Sequence, residues 1–180
     1  KGLYPLSMHA ASAKSERKAT LLGAGTILRE VIAAAEMLAK DYDVHCEVLS
    51  APSFSELRRD ALDCDRWNLL HPTETARVPY VAEVLQHRAG PFVAASDYVR
   101  NVPDQIRQWV PGRYVVLGTD GYGRSDGREA LRAHFEVDRR FIVLATLRAL
   151  ADEGVVPRSL LAEAISALGI DVNKPNPLNS

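Results

Sequence analysis

The sequence predicts an α/β domain of three layers, with helices on both faces of a largely parallel sheet. Two observations lead to this prediction. Short apolar runs rich in β-branched residues recur along the chain, and each ends at a glycine, a proline or a polar residue. Segments with apolar residues at helical spacing separate these runs, so successive strands are joined by crossovers. The four strands predicted in this way are residues 19–22, 44–49, 92–95 and 114–117.

The composition is that of one soluble globular domain, with 47% hydrophobic and 25% charged residues. A net charge of −1, from 22 basic and 23 acidic side chains, gives no electrostatic basis for a nucleic-acid or membrane partner. No apolar run approaches the roughly 20 residues of a membrane span, and the start does not resemble a signal peptide. Cys46 and Cys64 form no C-x-x-C motif. We therefore expect free thiols and a cytoplasmic location.

Residues 1–18 are small and polar, with several serines and lysines. This composition predicts a linker or an extended lead-in segment, followed by a single domain over residues 19–180. Such a start is expected of a domain that belongs to a longer chain.

The first predicted strand runs into Gly23-Ala24-Gly25, and Thr26 is expected to cap the helix that follows. The apolar face of that helix is Ile27, Val31, Ala34 and Leu38. A strand, a glycine turn and a helix could bind a dinucleotide, but that fingerprint requires a third glycine where this chain has Leu28. The pattern therefore favours a sharp turn, with a nucleotide site as the weaker alternative.

After the second strand, Ser53 and Glu56 predict the capping box of a short helix. Pro72 and Pro79 then predict a long irregular connection over residues 63–79. Two interpretations of its polar side chains are open. In the favoured one, Trp67 and Leu70 fix the connection to the core, and His71 and Glu74 bind its backbone. In the other, the connection is a functional surface that includes His71, Glu74 and Arg77. No second ligand lies three or four residues from His71, so no metal site is predicted.

Ser96 or Asp97 is expected to cap a helix that extends to Trp109 and is delayed or kinked at Pro103. Asp138 is expected to cap a helix over residues 141–150, although several residues there are β-branched. The last helix is expected to begin at Pro157 and to end at Gly169.

The segment from Tyr114 to Asp138 is the most informative part of the sequence. Its strand enters a charged loop in which Gly121 and Gly123 can adopt positive φ, and Ser125 or Asp126 can cap the next helix. Leu131 and Phe135 are the apolar residues of that helix. This arrangement places charged groups at the carboxyl edge of the sheet.

Three charged residues of this loop, Asp120, Arg124 and Asp126, would be costly to bury unpaired. One interpretation is an internal network in which Arg124 bridges the two aspartates. The other is that the loop presents Tyr122 and Arg124 to another domain or subunit, because tyrosine and arginine are common interface anchors.

Three blocks of the sequence resemble the last domain of the homodimeric bacterial pyruvate dehydrogenases. They are GTDGYGRSDGREALRAHFEVD at residues 118–138, CDRWNLLHPTETARVPYVAEVL at 64–85 and LLGAGTILREVIAAAEMLAKDY at 21–42. The resemblance runs from about the first residues to the closing NKPNPL, and it covers the C-terminal part of a much longer polypeptide. It implies a fold of the transketolase C-terminal type, a five-stranded mixed sheet with one antiparallel edge strand. Periodicity does not place the fifth strand.

The resemblance also implies a parent reaction, the oxidative decarboxylation of pyruvate with acetyl transfer to a lipoyl group. Thiamine diphosphate and Mg²⁺ serve that reaction and are held by the preceding domains of the family. The diphosphate motif, a GDG followed by an asparagine, is absent here, because TDGYG lacks both the first glycine and the asparagine. We therefore expect this domain to bind no cofactor or metal and to contain no catalytic residue.

The remaining role implied for the domain is to support dimerisation and to border the entrance of the active-site channel. The alternative is a regulatory or partner-docking module that contacts another component of the complex. Transketolase itself is a weaker match, because the HPTETARVP and GTDGYGRSD blocks resemble pyruvate dehydrogenase. Expected partners are other domains of the same chain, a second identical subunit and the acyltransferase component, with no nucleic acid and no membrane. The candidate interface or channel-entrance residues are Asp120, Tyr122, Arg124, Asp126, His71, Glu74 and Arg77.

Overall fold

The computed structural model describes residues 1–179 and contains a five-stranded sheet in the order β1-β3-β2-β4-β5. The strands are β1 (Tyr4–His9), β2 (Lys18–Gly23), β3 (His45–Ser50), β4 (Phe92–Ala95) and β5 (Tyr114–Leu117). The helices are α1 (Leu28–Asp41), α2 (Phe54–Leu70), α3 (Tyr80–Leu85), α4 (Asn101–Asp104), α5 (Arg128–His134), α6 (Arg139–Asp152) and α7 (Ser159–Ala167). β1 is antiparallel to β3, and the other neighbours are parallel. The predicted fold class is confirmed.

Helices cover both faces of the sheet. Because side chains alternate across a strand, Leu21 faces a core shared with α1 and α6, whereas Leu22 faces a core shared with α2 and α3. The same alternation separates Val93 from Ala94 in β4. Helices α1 and α6 thus bury apolar residues on one face of the sheet, and α2 and α3 do so on the other, which gives the three predicted layers.

The fifth strand lies within the segment that the sequence predicts to be a linker. β1 pairs with β3, with Tyr4 opposite Ser50 and His9 opposite Cys46. Residues 4–9 are therefore extended, as one of the two alternatives for residues 1–18 predicts, but they form a strand of the sheet rather than a linker. The physical reason for the difference is that β1 is an edge strand that contains a proline, which weakens a strand prediction. Four of its six side chains are exposed, and its register with β3 is irregular after Pro5.

The irregular connection predicted over residues 63–79 is largely helical. The Ser53 hydroxyl accepts the Glu56 N–H at 3.2 Å, as the capping box predicts, but α2 then continues to Leu70. Pro72 excludes regular helix only around itself and the residue before it, so residues 63–70 remain free to extend α2. The irregular part is confined to residues 71–79.

Three predicted side-chain caps are wrong. No side chain caps α1, which begins after a turn of 3₁₀ helix at Gly25–Ile27, because Thr26 donates to Asp97 instead. Gly127 occupies the N-cap of α5, and neither Ser125 nor Asp126 caps it. The third cap is predicted at Ser96 or Asp97, but α4 begins only at Asn101 and has no side-chain cap. The helix predicted there is limited to α4 and a 3₁₀ turn at Arg107–Trp109.

The C-terminal helices match the predictions. The Asp138 carboxylate accepts the N–H groups of Arg140 and Phe141 at 3.0 and 3.2 Å, so it caps α6 despite the β-branched residues inside that helix. Gly169 follows α7 with φ of 61°, as expected of a glycine that ends a helix.

Candidate functional site

The carboxyl ends of β2, β4 and β5 bring three loops together, at residues 23–27, 96–100 and 118–127. The chain leaves β2 for β3 on one side and leaves β4 for β5 on the other. The adjacent strands β2 and β4 therefore form a topological switch point, where open parallel sheets leave a crevice between the two connections. The loops at residues 23–27, 96–100 and 118–127 surround this crevice.

Asp97 joins the first two loops. Its Oδ2 accepts the N–H and the hydroxyl of Thr26 at 3.3 and 3.2 Å. Gly25 has φ of 56°, and a Cβ atom at this position would overlap the Asp97 carboxylate. The Asp97 carboxylate thus fills the space over the glycine turn, which supports a sharp turn rather than a phosphate cradle at Gly23-Ala24-Gly25.

Asp120 joins the second and third loops through Arg100. The Arg100 N–H donates to Asp120 Oδ2 at 3.0 Å, and the guanidinium Nε lies 3.4 Å from the same oxygen. The Thr119 hydroxyl donates to the Asp97 carbonyl oxygen at 3.0 Å. The predicted network in which Arg124 bridges Asp120 and Asp126 is therefore wrong, because Arg100 already pairs with Asp120.

The tip of the third loop is exposed from residue 121 to residue 127. Gly121 has φ of 125° and contacts the Pro177 carbonyl oxygen, whereas the predicted positive φ at Gly123 is not found. Tyr122 is 75% exposed, and Asp126 accepts the Gly127 N–H at 2.6 Å. The role of Tyr122 and Asp126 at an interface stays a prediction.

A cleft of about 380 Å³ lies between these loops and α5. Its wall is apolar at four residues, Ile27, Leu131, Phe135 and Val137. Its rim is basic, formed by Arg124, Arg128 and Arg132. Asp97 is the acidic residue of the lining. The cleft thus combines an apolar wall with an excess of positive charge.

The three arginines of the rim differ in their partners. Arg132 donates to Glu30 at 3.0 Å, so its charge is compensated. Within residues 1–179, the side chains of Arg124 and Arg128 make no hydrogen bond or ion pair, and both residues are exposed. The pKa of His134 is lowered, first by burial and then by the positive charges of Arg124 and Lys174. Two of the three arginines of the rim are therefore uncompensated within the described residues.

The second predicted group, around His71, forms a local stack. The His71 ring stacks on Trp67 with centroids 4.3 Å apart, and its Nδ1 lies 2.8 Å from the Trp67 carbonyl oxygen. The Arg77 guanidinium lies 4.2 Å from the Trp67 ring centroid, and the Arg77 backbone exchanges two hydrogen bonds with the Asn68 amide. These contacts support a structural role for His71 and Trp67.

Two residues of that group do not act as the favoured interpretation expects. Leu70 is 54% exposed, so it does not fix the connection to the core. Glu74 is exposed, and its backbone N–H, rather than its side chain, bonds to the His71 carbonyl oxygen at 3.1 Å. A functional surface at Glu74 and Arg77 remains a prediction.

The structure does not bring the two predicted groups together. α2 starts at the carboxyl edge of the sheet and runs back for 17 residues, or about 25 Å, before it reaches His71. No hydrogen bond or ion pair between the groups occurs in residues 1–179. The residues that sequence reasoning missed are Arg100 and Arg128. The sequence predicts Asp97 as a possible helix cap, but its position almost directly after a buried strand also indicates a place in the crevice.

The described residues show neither a metal site nor a reactive buried thiol at Cys46. Among residues 1–179, no group of three or more histidine, cysteine or acidic side chains could hold a metal ion. Cys46 is buried, and burial raises the pKa of its thiol to about 12, so the thiolate is negligible at neutral pH. No helix in this part of the chain is long and apolar enough to cross a membrane.

Comparison with known sequences gives one domain family and a consistent set of relatives. The profile of the transketolase-like TK C-terminal domain matches residues 2–138. The pyruvate dehydrogenase E1 component of Cupriavidus necator is 53% identical over 179 residues, which are 99% of this chain and 20% of that protein. The pyruvate dehydrogenase E1 component of Escherichia coli K12 is 51% identical over 178 residues, 98% of this chain and 20% of that protein. The chain thus spans about a fifth of the length of these relatives.

Comparison with solved structures supports the fold. The transketolase of Campylobacter jejuni has a TM-score of 0.51 at 20% identity, covering 82% of this chain and 18% of that protein. The transketolase of Leishmania mexicana has a TM-score of 0.52 at 18% identity, covering 87% of this chain and 19% of that protein. At these identities the likeness concerns the fold alone.

Proposed function

Because this chain belongs to the transketolase-like C-terminal domain family, we propose that it is the non-catalytic C-terminal domain of a pyruvate dehydrogenase E1-type enzyme. The single observation that carries the proposal is identity of 51–53% over nearly the whole chain with pyruvate dehydrogenase E1 components. The same identities confirm the resemblance found in the three sequence blocks. The parent reaction is then oxidative decarboxylation of pyruvate, with acetyl transfer to a lipoyl group.

Thiamine diphosphate and Mg²⁺ are assigned in this proposal to the other four fifths of such an enzyme. Mg²⁺ prefers several oxygen ligands in octahedral geometry. The residues of this chain do not fit that requirement, because the carboxylates nearest the crevice are already engaged, Asp97 by Thr26 and Asp120 by Arg100. We accordingly assign no step of the reaction and no cofactor to this chain.

The role we assign to the domain is to extend a contact between two identical subunits and to border the entrance of the active-site channel. Its support is the exposed loop of residues 121–127, in which Tyr122 is 75% exposed and Arg124 has no hydrogen-bond or ion-pair partner among residues 1–179. Tyrosine and arginine contribute strongly to interfaces because they combine large contact area with directional hydrogen bonds. The expected partners are other domains of the same polypeptide and a second copy, in the cytoplasm.

Sedimentation equilibrium of the 180-residue chain tests this role. We expect concentration-dependent self-association, which Tyr122→Ala weakens and Leu69→Ala does not. Leu69 is a matched control, because it is 78% exposed and lies on α2, away from the crevice. A chain that stays monomeric at every accessible concentration contradicts a dimer contact made by this domain alone.

A second test uses the longer enzyme. The corresponding fifth of the Escherichia coli relative is replaced by this chain, and oxidative decarboxylation of pyruvate is measured. We expect the exchange to preserve activity, because identity is 51% over that region. An exchanged enzyme that folds and binds its cofactor but lacks activity contradicts the assignment.

The alternative is a docking module for the acyltransferase component. The same exposed loop favours it, because an exposed tyrosine beside an unpaired arginine suits a foreign partner as well as a second copy. Sedimentation of the chain mixed with the acyltransferase distinguishes the two. A mixed complex that Tyr122→Ala abolishes supports docking, and sedimentation as separate species excludes it.

A further inference from the structure

We propose that the crevice at the carboxyl ends of β2, β4 and β5 is a binding site for a small organic phosphate, a phosphate monoester with an apolar body. In this site the phosphate contacts Arg124 and Arg128, and the apolar body packs on Leu131 and Phe135. The site does not depend on the proposed function, because it is built from this chain alone.

The basic rim carries the first step of the inference. Arg124 and Arg128 both line the cleft, and neither has an acidic partner within residues 1–179. Arg132, which also lines the cleft, is held in place by Glu30 at 3.0 Å. Arginine guanidinium groups match the geometry of phosphate oxygens and can bind them in a bidentate manner.

The amount of charge selects phosphate over carboxylate. A phosphate monoester carries about −1.5 to −2 charges at neutral pH, whereas a carboxylate carries one. Two unpaired guanidinium groups are neutralised by the former and leave an excess positive charge with the latter. Asp97 also lines the cleft, and its negative charge disfavours an anion beside it, so the phosphate is expected at the arginines instead.

The apolar wall carries the second step. Ile27, Leu131, Phe135 and Val137 line the cleft next to the arginines. A free inorganic anion would leave this apolar surface in water, whereas an apolar body attached to the phosphate would cover it. The volume of about 380 Å³ lies within the range of small-molecule sites.

The position in the fold carries the third step. In open α/β sheets, ligands bind outside the carboxyl ends of the strands at the topological switch point. Here the switch point lies between β2 and β4, and the cleft lies beside it. The glycine turn at residues 23–25 is not part of the phosphate site, because the Asp97 carboxylate fills the space over Gly25.

The experiment is an amide NMR titration of the 180-residue chain with phenyl phosphate in magnesium-free buffer at low salt, at a concentration at which the chain is monomeric. We expect saturable shifts that include the amides of Gly121 and Gly123. Arg128→Gln is expected to weaken binding about tenfold, the effect of losing one charge-assisted interaction. The matched control is Arg66→Gln, which removes the same charge from an exposed arginine on α2.

Three further ligands complete the titration. Phenol lacks the phosphate, inorganic phosphate lacks the apolar body, and benzoate replaces phosphate by carboxylate. We expect no saturable binding of phenol and at least several-fold weaker binding of the other two. The proposal is overturned if phenyl phosphate causes no saturable shifts or shifts residues away from the crevice. It is also overturned if Arg66→Gln weakens binding as much as Arg128→Gln, or if benzoate or inorganic phosphate binds as tightly as phenyl phosphate.

Discussion

Glu30 on α1 and Arg139 at the start of α6 form a two-point ion pair across 109 residues of sequence. Arg139 Nε donates to Glu30 Oε2 at 2.9 Å, and Nη2 donates to Oε1 at 3.2 Å. The Arg139 N–H and the Arg132 guanidinium also donate to this carboxylate, at 3.1 and 3.0 Å. Glu30 is only 6% exposed. One buried carboxylate thus joins α1, α5 and α6 behind the crevice.

The first prediction is that Glu30→Gln destabilises the chain in a pH-dependent way. The hydrogen bonds from Arg139 hold the pKa of Glu30 below its ordinary value of 4.5, against an opposing effect of burial. A carboxyl group whose pKa is lowered on folding stabilises the folded state above the unfolded pKa. That stabilisation is lost as pH falls through the folded pKa. We expect Glu30→Gln to cost about 2 kcal/mol at pH 7, the free energy typical of charge-assisted hydrogen bonds.

Urea denaturation at pH 7 and at successively lower pH measures this difference. We expect the gap between Glu30→Gln and the parent chain to shrink below pH 4.5, where Glu30 of the unfolded chain begins to protonate, and to close as pH falls through the lowered pKa of the folded state. The matched control is Glu36→Gln on the same helix, since Glu36 is exposed. Equal stability of Glu30→Gln and the parent at pH 7 contradicts the stabilising role of the pair.

Strands whose side chains are buried could be predicted from the sequence, whereas the strand whose side chains are mostly exposed could not. β4 and β5 match the predicted residues because every side chain of β4 is buried and those of β5 are buried or half-buried. β1 is not predicted because it contains Pro5 and exposes four of its six side chains, so its residues carry no signal of burial. The C-terminal half of α2 was missed for a related reason: Cys64 and Trp67 are only half-buried, and most of its other residues are exposed.

The crevice was predicted in part. The sequence placed Asp120 and Arg124 in a loop at a strand end, because the strand and the glycine that follows it are local signals. The pairing of Arg100 with Asp120 could not be predicted from the sequence, because the order of the strands in the sheet determines which loops are close enough to form an ion pair. Strand order in turn depends on crossovers that local patterns do not specify.

The second prediction concerns Phe135, an apolar residue of the helix that the sequence predicts after the 118–127 loop. It is 9% exposed and packs in the core shared with α1 and α6, while its edge lines the cleft. We expect Phe135→Ala to cost about 3 kcal/mol, because it removes a large buried ring and leaves a cavity. Urea denaturation measures the cost, and Tyr122→Ala, at a 75% exposed ring, is the control. An unchanged urea midpoint for Phe135→Ala shows that the ring is not part of the core.

The third prediction compares two glycines of the same loop. Gly121 has φ of 125°, and a Cβ there would overlap the Pro177 carbonyl oxygen. Gly123 has no atom within 4 Å of an added Cβ and no positive φ. We expect Gly121→Ala to cost roughly 1–3 kcal/mol through backbone strain, and Gly123→Ala to change stability by less than about 0.5 kcal/mol. Thermal unfolding of both variants tests this, and equal effects would show that the contact with Pro177 is not maintained.

The last prediction compares two charged residues of the 118–127 loop, Asp120, which has an internal partner, and Arg124, which is proposed to bind outside the loop. Asp120 accepts the Arg100 N–H at 3.0 Å and lies 3.4 Å from its guanidinium, whereas Arg124 is exposed and has no such partner within residues 1–179. Asp120→Ala leaves Arg100 without its acceptor, so we expect it to destabilise the 180-residue chain by about 1 kcal/mol. Arg124→Ala removes no hydrogen bond or ion pair within residues 1–179, so its effect on the free energy of unfolding should stay within about 0.5 kcal/mol.

Arg124→Ala should instead change what the loop binds. In the longer enzyme we expect it to weaken dimerisation or lower activity, whereas Asp120→Ala acts there through the stability of the loop. Denaturation of the 180-residue chain and assay of the longer enzyme, each with both substitutions, separate the two effects. If Arg124→Ala lowers the stability of the chain as much as Asp120→Ala does, Arg124 is part of the internal framework of the loop. That result would contradict both proposed roles of Arg124, at an interface and in the crevice. Both roles require a guanidinium group that is not already bound within its own chain.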